Sequence, residues 1–422
     1  MKICVIGLGY IGLPLSYSLA KKFNVTGYDH DKNKILQLKK NKDYTGEISN
    51  NKLSKDQLYF TSQTNKLNNF DVYIICVPTP VLKNNKPNLN FVKKAVTVIG
   101  KALKFNKKKP TIVLESTVYP GCSEEICIPI LEKYSNFKLN NEFFFGYSPE
   151  RVNPGISKYK LNNTTKIISA SNKRSLNKLK KIYKIVTNKI YIAKDIKTAE
   201  AAKVIENIQR DLNIALMNEL SIIFNKIGLE TKDVLKAAAS KWNFSYYEPG
   251  LVGGHCIGVD PYYMAYLSKK IGIKNSNMIL AGRNTNENMK NFIIKNLFKS
   301  IKSKKIKLSD SRILILGFTF KENCNDIRNS KILEIFDKIK NKVKKVDLYD
   351  PVALIDNETL PYNNNVLKKL NYKTKYDVVI LAVKHDFFKK MKIKKILSLC
   401  NRNKLFFDLK SLFDKKFSTF RL

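Results

Sequence analysis

A cysteine flanked by glycines is the residue of this chain best suited to covalent chemistry. Cys256 lies in the run Gly-Gly-His-Cys-Ile-Gly-Val-Asp at positions 253–260. Glycines let a backbone and a substrate approach closely, and a thiolate can attack a carbonyl carbon. A lone cysteine is more often a buried core residue, so this loop on its own leaves both interpretations open.

Polar residues elsewhere could assist such a nucleophile. Lys203 and Asn207 lie four residues apart on a predicted helix and so on one face, where a cation and an amide can stabilise an oxyanion. Glu150 follows a predicted strand in the run Ser-Pro-Glu-Arg, and a carboxylate there could transfer protons or activate water. The alternatives are a solvated helical face for the lysine and an ion pair between Glu150 and Arg151.

A glycine-rich turn close to the first residue predicts a dinucleotide site. The run Gly-Leu-Gly-Tyr-Ile-Gly at 7–12 follows a strand-like segment and precedes a helical one. Such glycines allow a tight turn and bring backbone N–H groups to a pyrophosphate at a helix N-terminus. Asp29 ends the second predicted strand, where an acid accepts ribose hydroxyls and repels a 2′-phosphate. The pattern therefore favours NAD over NADP.

Alternating apolar and amphipathic runs must position these groups. Buried parallel strands are predicted at 3–6, 25–28, 72–77, 112–114 and 143–147, and in a second set at 313–316, 346–349, 378–382 and 405–407. A three- or four-residue apolar repeat from about residue 196 predicts a long helix. We therefore expect an α/β protein with two Rossmann-like, doubly wound domains joined by a helical central region. The expected divisions are 1–195, 196–303 and 304–422.

Composition bounds the class of protein. The chain has 422 residues and a formal net charge of +42, which a nucleic-acid-binding protein could also show. The lysines are spread along the whole chain, however, so we expect no nucleic-acid partner, although a non-catalytic nucleotide- or nucleic-acid-binding protein remains the rival class. Seven cysteines lack the paired spacing of a metal or disulfide framework, and no apolar run is long enough to span a bilayer. We expect a cytoplasmic protein without membrane insertion.

Several ordered motifs together resemble the UDP-glucose/GDP-mannose dehydrogenase family across essentially the whole chain. They are Gly7-x-Gly9-x-x-Gly12, Val77-Pro78-Thr79-Pro80, Glu115-Ser116-Thr117, Ser148-Pro149-Glu150-Arg151, Lys203 with Asn207, Gly254-x-Cys256-x-x-x-Asp260, and Phe320-Lys321-x-x-x-x-Asp326-x-Arg328-x-Ser330. The resemblance implies an NAD domain, a central dimerisation region and a UDP-binding domain. It also implies a homodimer formed through the central helix.

The resemblance further implies roles for individual residues. Catalysis would involve Cys256 as nucleophile, Lys203 and Asn207 as oxyanion partners, Glu150 as general acid/base, Asp260 as a water-positioning carboxylate, and Thr117 between cofactor and substrate. The cofactor NAD would contact Gly7, Gly9, Tyr10, Ile11, Gly12, Asp29, Pro78, Thr79, Thr117 and Arg328. The sugar nucleotide would contact Glu150, Arg151, Lys203, Asn207, Gly253, Gly254, Phe320 and Lys321. No arginine that could reach a neighbouring subunit is obvious around Lys241.

The cysteine loop narrows the expected substrate. The run Gly-His-Cys-Ile-Gly-Val-Asp-Pro-Tyr-Tyr at 254–263 is similar to the branch acting on UDP-N-acetylhexosamines, whereas UDP-glucose enzymes carry Leu-Pro-Lys-Asp after the cysteine. We expect a four-electron oxidation of carbon 6, with UDP-N-acetylglucosamine as substrate and its galacto epimer or another UDP-sugar as alternatives. The products resemble precursors of capsule or O-antigen glycans. A single-step β-hydroxyacid dehydrogenase is a rival that lacks both this cysteine loop and the second α/β domain.

Overall fold

A computed structural model describes residues 1–43, 45, 46, 48, 57–151, 161–273, 277–353 and 363–422. The chain forms two compact units. The first unit comprises Met1–Glu206 and Tyr262–Asn275, and the second comprises Asn207–Pro261 and Ser276–Leu422. Within the described ranges, no helix is long and apolar enough to cross a membrane.

An eight-stranded sheet forms the centre of the first unit. Its strands are β1 (Lys2–Ile6), β2 (Asn24–Tyr28), β3 (Leu58–Thr61), β4 (Val72–Ile75), β5 (Thr111–Leu114), β6 (Phe144–Tyr147), β7 (Lys166–Ala170) and β8 (Ile190–Ile192). They are arranged in the order β3-β2-β1-β4-β5-β6-β7-β8. The first six have the strand order of a dinucleotide-binding domain, which places the loops after β1, β4 and β5 at one sheet edge.

Helices of the first unit alternate with these strands along the chain. They are α1 (Gly12–Leu19), α2 (Lys32–Lys39), α3 (Asn90–Leu103), α4 (Ile128–Ser135) and α5 (Lys173–Tyr183), with a π-helical turn at Ser123–Cys127 before α4. Side-chain caps start two of them: Asp31 accepts the backbone N–H groups of Asn33 and Lys34, and Asn172 accepts that of Ser175. Such caps satisfy N–H groups that the first helical turn leaves without a partner.

Helices of 8 to 32 residues occupy the middle of the described chain. They are α6 (Ile196–Ile227), α7 (Thr231–Ala238), α8 (Asp260–Lys270) and α9 (Asn277–Ser303). In the second unit a buried polar network links α6 to α9: the Arg283 guanidinium contacts Asp211 at 2.5 Å, and the Asn286 amide donates to the same carboxylate at 2.7 Å. Asn218 joins this network through Asn286 and the carbonyl of Gly250. The network therefore fixes the segment that leads into the cysteine loop.

A five-stranded parallel sheet forms the rest of the second unit. Its strands are β9 (Arg312–Leu316), β10 (Lys345–Tyr349), β11 (Tyr376–Leu381), β12 (Cys400–Asp408) and β13 (Phe420–Arg421), in the order β10-β9-β11-β12-β13. The accompanying helices are α10 (Lys331–Ile339), α11 (Asp386–Lys390) and α12 (Ile393–Leu397). The apolar faces of α9 and α10 pack on this sheet in one core.

The predicted fold class is confirmed: two Rossmann-like α/β domains and a long central helix. The strands predicted in the first unit all pair in parallel, whereas β7, which was not predicted, runs antiparallel to β6. Strands β3, β7, β8 and β13 were absent from the prediction. Strand β7 begins with Lys166 and has Ser169 within its short apolar run, and much of β8 is exposed. The predicted strand at 72–77 ends at Ile75, so the last two residues belong to a loop.

Candidate active site

Three glycines lie in the turn after β1, and the fold has a steric need for two of them, Gly7 and Gly12. Gly7 has a φ of +90°, and a Cβ at Gly12 would lie 1.8 Å from the Gly7 carbonyl oxygen. A Cβ at Gly9 would have nothing within 4 Å. Gly7 and Gly12 are therefore required by the fold, whereas Gly9 borders open space at the N-terminus of α1. That open space is where a dinucleotide pyrophosphate could approach the backbone.

Asp29 is fixed against the same turn. Its Oδ2 accepts the backbone N–H of Leu8 at 3.0 Å, and its Oδ1 accepts the backbone N–H of Asp31 at 3.0 Å. The predicted Tyr10 and Ile11 lie in the turn itself, both half-buried. These residues fit the ribose and pyrophosphate of NAD, since a positioned carboxylate follows β2 at the ligand-binding edge of the sheet.

Two loops at that sheet edge are hydrogen-bonded to their neighbours. The Ser116 hydroxyl donates to the Val77 carbonyl at 2.6 Å, and the Tyr263 hydroxyl donates to the Thr79 carbonyl at 2.9 Å. The first bond connects the loop that carries Pro78 to the loop that carries Thr117. Thr117 is half-buried, so these two loops present a preformed edge beside the glycine turn.

Glu150 lies in a buried charged cluster of the first unit. Its Oε2 accepts a hydrogen bond from the Lys166 ammonium at 3.1 Å, and the same ammonium donates to Glu115 at 2.7 Å. Tyr183 donates its hydroxyl proton to the other oxygen of Glu115 at 2.5 Å. Burial raises the pKa of the Glu115 carboxyl. At Lys166, burial acts to lower the pKa of the ammonium, but the two neighbouring carboxylates outweigh it, so the pKa is raised.

The alternative of an ion pair between the side chains of Glu150 and Arg151 is wrong. Only the backbone N–H of Arg151 reaches the carboxylate, at 2.7 Å. The guanidinium instead pairs with Glu206 at 2.8 Å and donates to the carbonyl of Thr165 at 2.8 Å. Glu150 is therefore balanced by a lysine rather than by its neighbour in sequence.

In the second unit, the glycines before Cys256 leave room for a neighbouring segment of the chain to pack closely against them. Gly254 has a φ of +83°, and a Cβ there would lie 2.7 Å from the ring of Phe320. A Cβ at Gly253 would lie 2.6 Å from the carbonyl oxygen of Asn329. Cys256 itself is exposed. The two glycines thus allow close packing of the chain that precedes the thiol, leaving the thiol accessible.

Cys256 also begins the turn that leads into α8. Its carbonyl accepts the backbone N–H groups of Val259 at 3.0 Å and Asp260 at 2.8 Å. The Asp260 side chain is buried and accepts a hydrogen bond from the Asn207 amide at 2.5 Å. Lys203 is buried one helical turn before Asn207 on α6. The structure therefore connects the predicted oxyanion partner Asn207 to the predicted carboxylate Asp260.

Asp326 links two further residues of the predicted site. It accepts hydrogen bonds from the Arg328 guanidinium, the shortest at 2.6 Å, and lies 3.5 Å from His255 Nε2. Burial opposes ionisation, but the hydrogen bonds from His255 and Arg328 hold the pKa of Asp326 well below its usual range. Lys321 lies nearby in sequence, with its ammonium over the Phe320 ring at 5.5 Å from the centroid.

Models of one protein family match most of the chain. Three models of the UDP-glucose/GDP-mannose dehydrogenase family match the chain: the NAD binding domain over residues 1–187, the central domain over 197–288 and the UDP binding domain over 314–415. The chain belongs to the UDP-glucose/GDP-mannose dehydrogenase family. Membership makes it an NAD-dependent dehydrogenase, in agreement with the glycine turn and Asp29.

Individual relatives cover the full length of this dehydrogenase. A UDP-N-acetyl-D-glucosamine 6-dehydrogenase of Salmonella typhi is 44% identical over 100% of this chain and 99% of its own. One of Pseudomonas aeruginosa is 42% identical over 100% and 99%. Among solved structures, a UDP-D-ManNAc dehydrogenase of Pyrococcus horikoshii superposes with a TM-score of 0.86 at 28% identity, covering 100% of this chain and 98% of that one.

Three residues that lie beside the predicted site residues of the dehydrogenase were not predicted from the sequence. Lys166 and Tyr183 complete the cluster around Glu150, and Arg283 lies beside the cysteine loop, 3.8 Å from a Cβ built on Gly258. A lysine at the start of a strand carries no local signal of burial. The apolar residues after Lys166 could have suggested a strand, but nothing nearby indicates its two carboxylate partners.

Proposed function

We propose that this dehydrogenase oxidises carbon 6 of UDP-N-acetylglucosamine to the uronic acid, using two equivalents of NAD. The observation that carries the proposal is the full-length identity of 44% to a protein named as a UDP-N-acetyl-D-glucosamine 6-dehydrogenase. The run from Gly254 to Asp260 supports the same substrate class. The product would serve bacterial surface polysaccharide synthesis.

Cys256 would act as the nucleophile between the two oxidations. NAD, when bound, supplies the hydride acceptor, and Gly7, Gly9, Gly12 and Asp29 would hold it. The exposed thiolate adds to the carbon of the intermediate aldehyde, forming a C–S bond. After the second oxidation the group is a thioester, and water breaks the C–S bond to release the carboxylate and return the thiol. The sulfur thus retains the aldehyde until it is oxidised.

The remaining site residues would manage charge and protons. Lys203 favours the thiolate by its charge and, with Asn207, stabilises the anionic oxygens of the two tetrahedral species. Glu150 transfers protons, and Asp260 orients the hydrolytic water. Thr117 would lie between cofactor and sugar.

Nucleotide contacts complete the proposed assignment. Arg328, Pro78, Thr79, Tyr10 and Ile11 would contact NAD. The substrate contacts would come from Arg151, Gly253, Gly254, Phe320 and Lys321, in addition to the catalytic residues.

We propose further that the active form is a cytoplasmic homodimer built on the central region 196–303. On α6, the exposed side chains Leu216, Ile223 and Ile227 recur at steps of seven and four residues, so they lie on one helical face. An exposed apolar stripe on a long helix is typical of a protein–protein contact. All seven cysteines are free of disulfide bonds, in keeping with a reducing compartment.

Counting NADH per sugar nucleotide tests the proposal. With UDP-N-acetylglucosamine and its galacto epimer assayed side by side, we expect two NADH per molecule and faster turnover of the gluco epimer. One NADH per molecule would favour a single-step alcohol dehydrogenase. Faster turnover of the galacto epimer would reassign the substrate. Absence of turnover together with steeply salt-dependent binding to nucleic acid would favour the non-catalytic alternative.

A further inference from the structure

A lysine buried between two carboxylates is the least expected feature of the first unit. Lys166 is only 4% exposed, and Glu115 and Glu150 are buried with it. The three side chains come from β7 and from the loops after β5 and β6. Removing three charged groups from water costs free energy, and this cost is recovered only if each group is paired with good geometry.

The geometry is good and asymmetric. Glu115 uses one oxygen for Lys166 and the other for the Tyr183 hydroxyl, so both its oxygens are engaged inside the protein. The Lys166 ammonium also lies over the Tyr183 ring, 5.2 Å from its centroid. Glu115 and Tyr183 therefore both contact the Lys166 ammonium, which also donates a hydrogen bond to Glu150.

The described charges of the cluster place one ammonium between two carboxylates. With both carboxylates ionised the cluster has one positive and two negative charges, and burial raises the pKa of Glu115. The Cys76 thiol also faces the cluster, and burial raises its pKa well above the usual range, so it adds no charge near neutral pH. The Arg151 guanidinium is directed to Glu206. The Lys166 ammonium, in contrast, donates a hydrogen bond to Glu150.

We propose that Lys166, held in place by Glu115 and Tyr183, is a positioning residue that fixes the orientation and the charge of the Glu150 carboxylate. The inference rests on the acid–base role proposed for Glu150 above. It assigns no substrate contact to Lys166. Its consequence is that the Glu150 carboxylate is held in one orientation when the sugar nucleotide is bound.

Two substitutions should move the protonation of Glu150 in opposite directions. Lys166→Met leaves two like charges close together, so the Glu150 protonation midpoint should rise by about one pH unit or more. Glu115→Gln removes the competing anion and leaves the ammonium to Glu150 alone, so the midpoint should fall. A purely structural role would not give shifts of opposite sign.

Carbon-13 NMR of protein labelled at the glutamate carboxyl carbons measures these midpoints without turnover. The Glu150 signal is the one that disappears in Glu150→Gln. Lys178→Met, a half-buried lysine on α5, is the control for loss of one positive charge and should leave the midpoint unchanged. The acidic limb of the kcat/KM profile should move with the NMR midpoint in each variant.

Unmoved midpoints in both variants, or shifts of the same sign, would overturn the inference. If Lys166→Met does not fold, Glu115→Gln and Tyr183→Phe retain the test, since each perturbs the lysine while keeping its charge, and an unmoved midpoint in both would also overturn it. The NADH count on the native enzyme is a separate measurement. A failure of the proposed reaction therefore cannot be confused with a failure of the positioning role.

Discussion

The side-chain amide of Asn207 donates a hydrogen bond to the carboxylate of Asp260, with 2.5 Å between Nδ2 and Oδ2. The first residue lies on α6 and the second begins α8, so one bond unites residues 53 positions apart. One is the proposed oxyanion donor and the other the proposed water-positioning group. Each must influence how the other is oriented.

A double-mutant cycle should therefore show strong coupling between them. We expect Asn207→Ala and Asp260→Ala each to lower kcat by about 100-fold, as loss of one oxyanion contact does. Because they share one hydrogen bond, the double variant should lose far less than the product of the two effects. Asn213→Ala, on the same helix, is the matched control and should keep native kcat. Additive losses in the double variant would mean that the two residues act separately.

Replacing the proposed nucleophile should abolish acid formation. Cys256→Ser has a hydroxyl that ionises far less readily, so we expect release of the uronic acid to fall by about 1,000-fold or more, measured by product chromatography and NADH release. Cys400→Ala is the control, because burial raises the pKa of the Cys400 thiol to about 12 and keeps it protonated. Native rates of acid release from Cys256→Ser would exclude the thioester route.

Two alanine substitutions in the glycine turn should separate folding from cofactor binding. Gly12→Ala places a Cβ 1.8 Å from the Gly7 carbonyl oxygen, so the free energy of unfolding should fall by about 3 kcal/mol or more. Gly9→Ala meets no protein atom within 4 Å, so stability should change by about 0.5 kcal/mol or less, while the KM for NAD rises about tenfold. Denaturant unfolding and NAD titration measure the two effects. Unchanged NAD affinity in Gly9→Ala would contradict placement of the pyrophosphate there.

A structural feature of this protein can be predicted from the sequence when the residues that require it lie close together along the chain. Gly7 and Gly12 are required by a turn of six residues, so their pattern is visible in the sequence and correctly predicted the first strand and helix. Lys166 and Glu115 are 51 residues apart, and only the folded sheet brings them together. The same lysine begins β7, and Ser169 interrupts its short apolar run, which explains why both that strand and the partner of Glu150 were missed.

The acid stability of the second unit should depend on Asp326. Burial acts to raise the pKa of Asp326, but hydrogen bonds from His255 and Arg328 outweigh it and lower that pKa from its ordinary value of 3.8. The ionised side chain therefore stabilises the fold at pH values above 3.8, and this stabilisation is lost as the pH falls through the lowered pKa. Asp326→Asn should lower the free energy of unfolding by about 2 kcal/mol at pH 7. The deficit should shrink as the pH approaches 3. Urea unfolding across this range, with exposed Asp310→Asn as control, measures it, and a deficit independent of pH would contradict the ionic role.

Glu200 should give the opposite pH dependence in the first unit. This α6 carboxyl accepts the backbone N–H groups of Gly121 at 2.6 Å and Ser123 at 3.0 Å, and burial raises its pKa from 4.5 to about 7. Because the folded chain binds this proton more tightly than the unfolded chain, the stabilisation is complete below pH 4.5 and is lost as pH rises through about 7.

Between pH 5 and pH 8 the native protein should therefore lose up to about 3 kcal/mol that Glu200→Gln does not lose. Denaturant midpoints of the two proteins across this range provide the measurement. Exposed Glu124→Gln controls for removal of one nearby charge. Parallel stability curves for the native protein and Glu200→Gln would show that this carboxyl does not titrate near neutrality. Stability curves that converge or cross as the pH rises would mean that ionising Glu200 weakens the hydrogen-bonded contact between α6 and the loop that follows Thr117.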